Sequence, residues 1–102
     1  MRRLVVAAAA LADLEDIARF TQAQWGQVQK QKYVGVLRSA LERLRRHPEH
    51  GRKRPEVDAT LCSLLAGRHV IFYRFSEDEC RIVRIIHDRM DVHRHLAERP
   101  PK

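Results

Sequence analysis

Leu61-Cys62-Ser63-Leu64-Leu65-Ala66, His69-Val70-Ile71-Phe72-Tyr73-Arg74-Phe75 and Cys80-Arg81-Ile82-Val83-Arg84-Ile85-Ile86-His87 are three short runs rich in apolar, β-branched and aromatic residues. Gly67-Arg68 separates the first two, and Ser76-Glu77-Asp78-Glu79 the last two. Runs of strand length bounded by tight-turn residues predict a three-stranded antiparallel meander. Side chains alternate along a strand, so His69, Ile71, Tyr73 and Phe75 share one face of the middle run and Val70, Phe72 and Arg74 the other. Both faces carry large apolar groups, and each therefore needs a cover.

Upstream of the meander the apolar period lengthens to that of a helix. Leu11, Leu14, Ile17 and Ala18 recur with Asp13, Glu15, Asp16 and Arg19 between them, and Trp25-Gly26 supplies a stop. Trp25 itself reads as a core residue locking the turn. A second helix runs from about Val28 to Arg46, with Tyr33, Val34, Leu37, Leu41 and Leu44 as its apolar stripe. His47-Pro48 ends it, because the residue before a proline avoids the helical region. A turn this short makes the two helices an antiparallel hairpin. Before them, Leu4 to Ala7 reads as a short strand, and the alanines that follow offer no helix cap. Residues 48–60 form a loop, and Val92 to Leu96 a short last helix before Pro100-Pro101. The fold class is thus α+β: an N-terminal strand and a helical hairpin on an antiparallel sheet, in one domain spanning 1–102. The hairpin can cover only one sheet face. The other asks for a partner or for the C-terminal segment.

The composition fits a globular chain, with 44% hydrophobic and 32% charged residues over 102 positions. Its formal charge of +7 rests on 20 Lys and Arg against 13 Asp and Glu, and 16 of the cations are arginine. The charge is unevenly placed. Residues 43–54 hold six cations against Glu49 alone, whereas residues 55–80 hold two against five carboxylates. Such a patch favours a polyanion or an acidic protein partner, and arginine forks hold carboxylates and phosphates bidentately. No aromatic residue is interleaved with the patch, which weakens a nucleic-acid reading. Cys62 and Cys80 lack metal-ligand spacing and are too few for a disulfide framework, so a reducing cytoplasm is expected. The N-terminal apolar run meets Asp13, Glu15 and Asp16 too early for an export signal, and no stretch reaches the ~20 apolar residues of a membrane span.

Among chemistry-bearing residues, Arg74 and Arg84 on neighbouring strands, with Arg81 and His87 nearby, could hold a phosphate, and His87 could move a proton. Surface arginines more often only solvate or meet a partner. His69 reads as a structural histidine. His87, His93 and His95 with Asp88 and Asp91 suggest a metal, but on a helix His93 and His95 point to different sides, so neither a metal nor a cofactor is expected.

Taken in order, several segments resemble the ParE branch of the RelE/ParE toxin superfamily. They are Ala12-Asp13-Leu14-Glu15-Asp16-Ile17, Trp25-Gly26, Leu44 with His47-Pro48 and Gly51-Arg52, Gly67-Arg68-His69-Val70-Ile71-Phe72-Tyr73-Arg74, and Ile82 to Asp91 with Arg94-His95-Leu96. The resemblance implies a toxin of a bacterial type II toxin–antitoxin module, paired with a ParD-like antitoxin. ParE-branch members inhibit DNA gyrase by binding, whereas the RelE branch cleaves mRNA on the ribosome. RelE-like nucleases place an arginine three residues before the Tyr73 equivalent and a catalytic tyrosine or histidine just beyond the last strand. Here Val70 and Met90-Asp91 stand at those places, which favours the non-enzymatic reading. Arg84 and His87 are the candidates should the chain be a nuclease. Cys62 replaces an arginine common at the start of the first meander strand.

In this family an acidic, largely disordered antitoxin tail folds over the hairpin and sheet, and its ordering must be offset by apolar burial and charge pairing. Arg45, Arg46, Arg52, Arg54, Phe72, Arg74 and Arg84 are the residues expected to meet it in a hetero-oligomer. Asp88, Arg89, Met90, Asp91, Arg94 and Leu96 are expected to touch gyrase, and DNA is reached only through the antitoxin. A degenerate toxin kept as a co-repressor subunit, or a stand-alone nucleic-acid-binding module, would fit much of the same pattern.

Overall fold

The computed structural model describes residues 2–89. Its elements follow in the order β1 (Arg3–Val6), α1 (Ala8–Trp25), α2 (Gln27–Arg46), a single 3-10 turn (Pro48–His50), β2 (Arg52–Lys53), β3 (Cys62–Ala66), β4 (His69–Phe75) and β5 (Glu79–His87). The expected last helix over Val92 to Leu96 lies outside the described residues. The expected meander is present, extended at both sides into a five-stranded sheet of order β1-β5-β4-β3-β2. β1 pairs with β5 in parallel, with Leu4 opposite Cys80 and Val6 opposite Ile82, so the sheet is mixed rather than wholly antiparallel. A parallel neighbour needs a long crossover, and here the helical hairpin together with β2 to β4 lies between the two paired strands.

The helix begins at Ala8, earlier than the expected Leu11, directly after β1. Ala7 stands at its N-cap with extended backbone and no side-chain bond to the first turn. Alanine's high helix propensity carries a start that has no capping hydroxyl or carboxylate. Gly26, at φ 91, lets α1 stop and α2 begin within one residue. At the far end of α2, Arg43, Arg45 and Arg46 sit where the helix dipole favours cations.

Ala10 of α1 and Leu37, Ala40, Leu41 and Leu44 of α2 pack on Cys62, Ile71, Tyr73, Cys80, Ile82 and Ile85 to form the main core. Val70 and Phe72 look the other way, as their alternation requires, and meet Leu61, Val83, Ile86 and Val57. The loop before β3 therefore covers much of the second apolar face, the one expected to need a partner or the C-terminus. Its Arg54 adds a guanidinium 5.6 Å over the Phe72 ring.

A bulge in β5 decides which of its residues face which side. The register passes from Phe72 opposite Arg84 to Tyr73 opposite Ile82, leaving Val83 as an extra residue. Without it, strict alternation from Ile82 would put Ile86 toward the helices and Ile85 away. With it, Ile85 joins the helix-side core and Ile86 the other. Between β2 and α2, Tyr73 ties the chain together: its hydroxyl donates to the Pro48 carbonyl at 2.5 Å and accepts from the Gly51 amide at 3.1 Å. Cys62 and Cys80 are both buried as free thiols, and burial pushes the Cys80 thiol up to about 11.

Candidate functional site

A cavity of about 740 Å³ opens where the end of α1, the start of α2 and the β3–β4 turn converge. Asp16, Ile17, Phe20, Thr21, Trp25, Gln29 and Tyr33 form its helical wall, and Arg68, His69 and His87 its sheet side. Trp25 is not the core lock that its place at a turn suggests. It is 72% exposed and Phe20 is 61% exposed, leaving two aromatic surfaces in water beside one groove. Leu11 and Val28 are further exposed apolar residues of the hairpin, outside the lining of the groove.

The polar mouth of the groove is tightly arranged. Gly67, at φ 59, opens a two-residue turn that brings His69 opposite Ala66 and, on the other side, opposite His87. The Tyr33 hydroxyl accepts from the Arg68 amide at 2.9 Å and lies 2.5 Å from His69 Nδ1, which fits donation to an unprotonated nitrogen. The His69 and His87 rings meet edge to face with centroids 5.4 Å apart. His87 Nδ1 lies 3.1 Å from an Asp88 carboxylate oxygen, and Arg68 Nε lies 3.7 Å from the other. Burial, and next the adjacent His87, hold the His69 imidazole below the ordinary histidine range. Burial likewise raises the Tyr33 hydroxyl. Two imidazoles, a phenol and a guanidinium at the edge of an apolar groove can bind a carboxylate, and they can also move protons.

The structure separates the arginines that the sequence placed together. Arg74 lies opposite Arg81, not Arg84, and its side chain bonds Thr60 at 2.9 Å and Asp58 at 3.3 Å on the loop side of the sheet. Arg84 is only 4% exposed and points to the helix side, where its Nε and Nη2 reach the Asp13 carboxylate at 2.7 and 3.0 Å. The Ile85 amide donates to the same carboxylate at 2.9 Å. Arg84 is therefore not open to a partner: although its backbone lies opposite Phe72, its guanidinium is buried against Asp13 of α1. Phe72 is fully buried beneath Leu61, Val57 and Arg54, so it is no contact surface in this chain.

Of the basic patch, Arg46 and Arg52 are exposed, whereas Arg45 and Arg54 are partly withdrawn. Arg45 forks onto Glu42 and reaches the Arg2 carbonyl at 3.3 Å, and Arg54 bonds Glu56 at 2.6 Å and Ser63 at 3.2 Å. Asp88 and Arg89 follow β5 at the groove's mouth. Met90, Asp91, Arg94 and Leu96, expected to touch a target, lie outside the described residues. The groove itself escaped the sequence reading. Phe20 and Trp25, five apart on a helix that needs little more than Ala10, Leu14 and Ile17 for its core contact, were the available signal.

A model of the ParE toxin of type II toxin–antitoxin systems, parDE, matches residues 4–92. The chain belongs to the ParE toxin family. Toxin ParE1 of Mycobacterium tuberculosis is 38% identical over 95 residues, covering 92% of this chain and 97% of that protein. Toxin ParE1 of Caulobacter vibrioides is 32% identical over 88 residues, covering 86% of this chain and 91% of its own. Toxin ParE of Escherichia coli is 30% identical over 100 residues, covering 97% of both chains. A solved structure described as the chromosomal ParDE TA system from P. aeruginosa superimposes with a TM-score of 0.74 at 22% identity, over 85% of this chain and 96% of that one, which shows a shared fold. In this ParE-family fold no described helix is long and apolar enough to cross a membrane.

Proposed function

We propose that this ParE-family chain is the toxin of a cytoplasmic pair, held inactive by an acidic ParD-like antitoxin, and that it acts by binding DNA gyrase rather than by catalysis. One observation supports the antitoxin half most directly: Phe20 and Trp25 stand in water beside a groove whose rim carries Arg68 and His87. An amphipathic helix with aliphatic anchors and carboxylates at its edge complements that arrangement. The acidic flank of the same tail then meets the exposed cations Arg46 and Arg52, Arg46 reaching its own Glu42 only at 3.6 Å, with Arg45, Arg54 and Arg74 as weaker contributors because they are partly buried on carboxylates or hydroxyls of this chain. Arg84 leaves the proposal. For the target, Asp88 and Arg89 begin the segment through Met90, Asp91, Arg94 and Leu96 that is proposed to contact gyrase.

Support for a non-catalytic action comes from Arg84, whose guanidinium is engaged by Asp13, and from Val70 at the position where the nuclease branch carries arginine. A second reading has its own observation. The His69–His87 pair beside Tyr33 and Arg68 could supply a proton donor and acceptor for ribosome-dependent mRNA cleavage. One comparison separates the two: the purified chain is added to gyrase supercoiling reactions and to ribosomes translating a defined mRNA. Inhibited supercoiling with intact mRNA is the expected result. Cleaved mRNA that becomes intact with His87→Ala would replace it by the second reading. Antitoxin binding is tested by charge reversal at Arg46 and Arg52, which should weaken the complex and flatten its salt dependence.

A further inference from the structure

The 3-10 turn after α2, Pro48–His50 with His47 at its N-cap, makes up His47-Pro48-Glu49-His50, a stretch that its sequence marks only as a helix stop. In a 3-10 helix, residues three apart eclipse one another. The His50 amide donates to the His47 carbonyl at 3.1 Å, and the two rings stack with centroids 4.9 Å apart and planes inclined by 16°. Glu49 reaches between them: its Oε2 lies 3.6 Å from His47 Nδ1 and 4.0 Å from His50 Nε2. One donor atom from each of the three side chains lies within 4.8 Å of the others. Two donors on one tetrahedral zinc at ~2.1 Å stand roughly 3.4 Å apart. Short rotations of these exposed side chains would close the difference, and the terminal torsions involved are soft.

The backbone under the three donors is already fixed. Pro48 is buried, its carbonyl accepts the Tyr73 hydroxyl, and the same hydroxyl holds the Gly51 amide on the far side of the turn. Little chain ordering remains to oppose ligation. We propose that His47, Glu49 and His50 form a surface site for a divalent late transition-metal ion, with imidazole donors favouring Zn²⁺, Ni²⁺ or Cu²⁺ over Mg²⁺ or Ca²⁺. The ion would tie the end of α2 to the approach of β2. Arg43, Arg46, Arg52 and Lys53, adjacent in sequence, disfavour another cation, so the site is weak and needs all three donors. This inference is independent of the antitoxin and target readings.

The test is a Zn²⁺ titration of the full chain by calorimetry, repeated for H47A, H50A, E49Q and a control carrying both H93A and H95A. One equivalent of Zn²⁺ should bind the unaltered chain and the control alike. Each single variant at the turn should lose roughly tenfold or more in affinity, and acidification should release the ion because protons compete for imidazole. Absence of binding up to about 1 mM Zn²⁺, or undiminished binding in a chain lacking both His47 and His50, would overturn the site. Loss in the His93 and His95 control alone would do the same by placing the ion elsewhere. Circular dichroism of each variant keeps loss of metal distinct from loss of fold.

Discussion

Asp13 reads in the sequence as one of several acids on the solvent side of a helix. In the structure it is the buried counter-ion of Arg84, 71 residues away, and the acceptor for the Ile85 amide as well. Removing one member of such a pair leaves a charge without its partner in a dry setting. Asp13→Ala should therefore lower unfolding free energy by ~3–5 kcal/mol, while replacing both members by apolar residues should recover part of it. Urea unfolding of the two variants and the parent checks this. His69 makes the second residue-scale prediction. Its folded imidazole titrates below the ordinary value, so the unfolded chain takes up a proton that the folded one refuses as pH falls through about 6.5. Stability is complete above that range and declines below it until the folded imidazole itself titrates. Protonation at Nδ1 would also oppose donation by the Tyr33 hydroxyl, while Asp88 and Asp13 act the other way. The unfolding midpoint should fall on acidification from about pH 7.5 to about 5.5, and His69→Gln should flatten that part of the curve. Neither interaction is legible in sequence, because each depends on contacts between residues dozens of positions apart.

At the scale of elements, the helices and three long strands were legible because their apolar periods and turn residues agree with the packed structure. What escaped is what has no period. β2 has two residues and forms only by pairing Arg52 with Ser63 and Lys53 with Cys62. The bulge at Val83 lies within a run, Ile82 to Ile86, in which apolar residues flank Arg84 on both sides and no alternation fixes a face. The cover over Phe72 comes from Val57, an isolated apolar residue in a polar loop, and from Leu61, the residue just before β3. Tyr73 joins these irregular pieces, and burial drives its hydroxyl up to about 12. Tyr73→Phe should cost ~1–3 kcal/mol, since the Pro48 carbonyl and Gly51 amide lose their shared partner. Gly51→Ala should destabilise too, because a methyl there would overlap the Tyr73 hydroxyl and the Ser63 carbonyl. The two losses should not add when combined, as both act on one contact. Thermal or urea unfolding of the singles and the double variant measures that coupling.

For the whole molecule, one layer of helices on a mixed sheet leaves the outer hairpin surface apolar at one end and cationic at the other. Phe20→Ser with Trp25→Ser should change stability by no more than about 0.5 kcal/mol, because both rings already stand in water. The same double variant should weaken antitoxin binding by ~30-fold or more if these rings are its anchors. Unfolding curves and a binding titration together distinguish a surface role from a core one. The two thiols offer a readout at this same scale. Cys62 lies on β3 and Cys80 on β5, flanking β4, and neither side chain is open to reagent in the folded chain. A raised thiol also has little thiolate with which to react. Alkylation then has to wait for the sheet to open, so both sulfurs should be modified together, at a rate set by unfolding. Pulse labelling followed by mass measurement would thus time the life of the folded toxin in a crude extract, and show by how much a bound partner prolongs it.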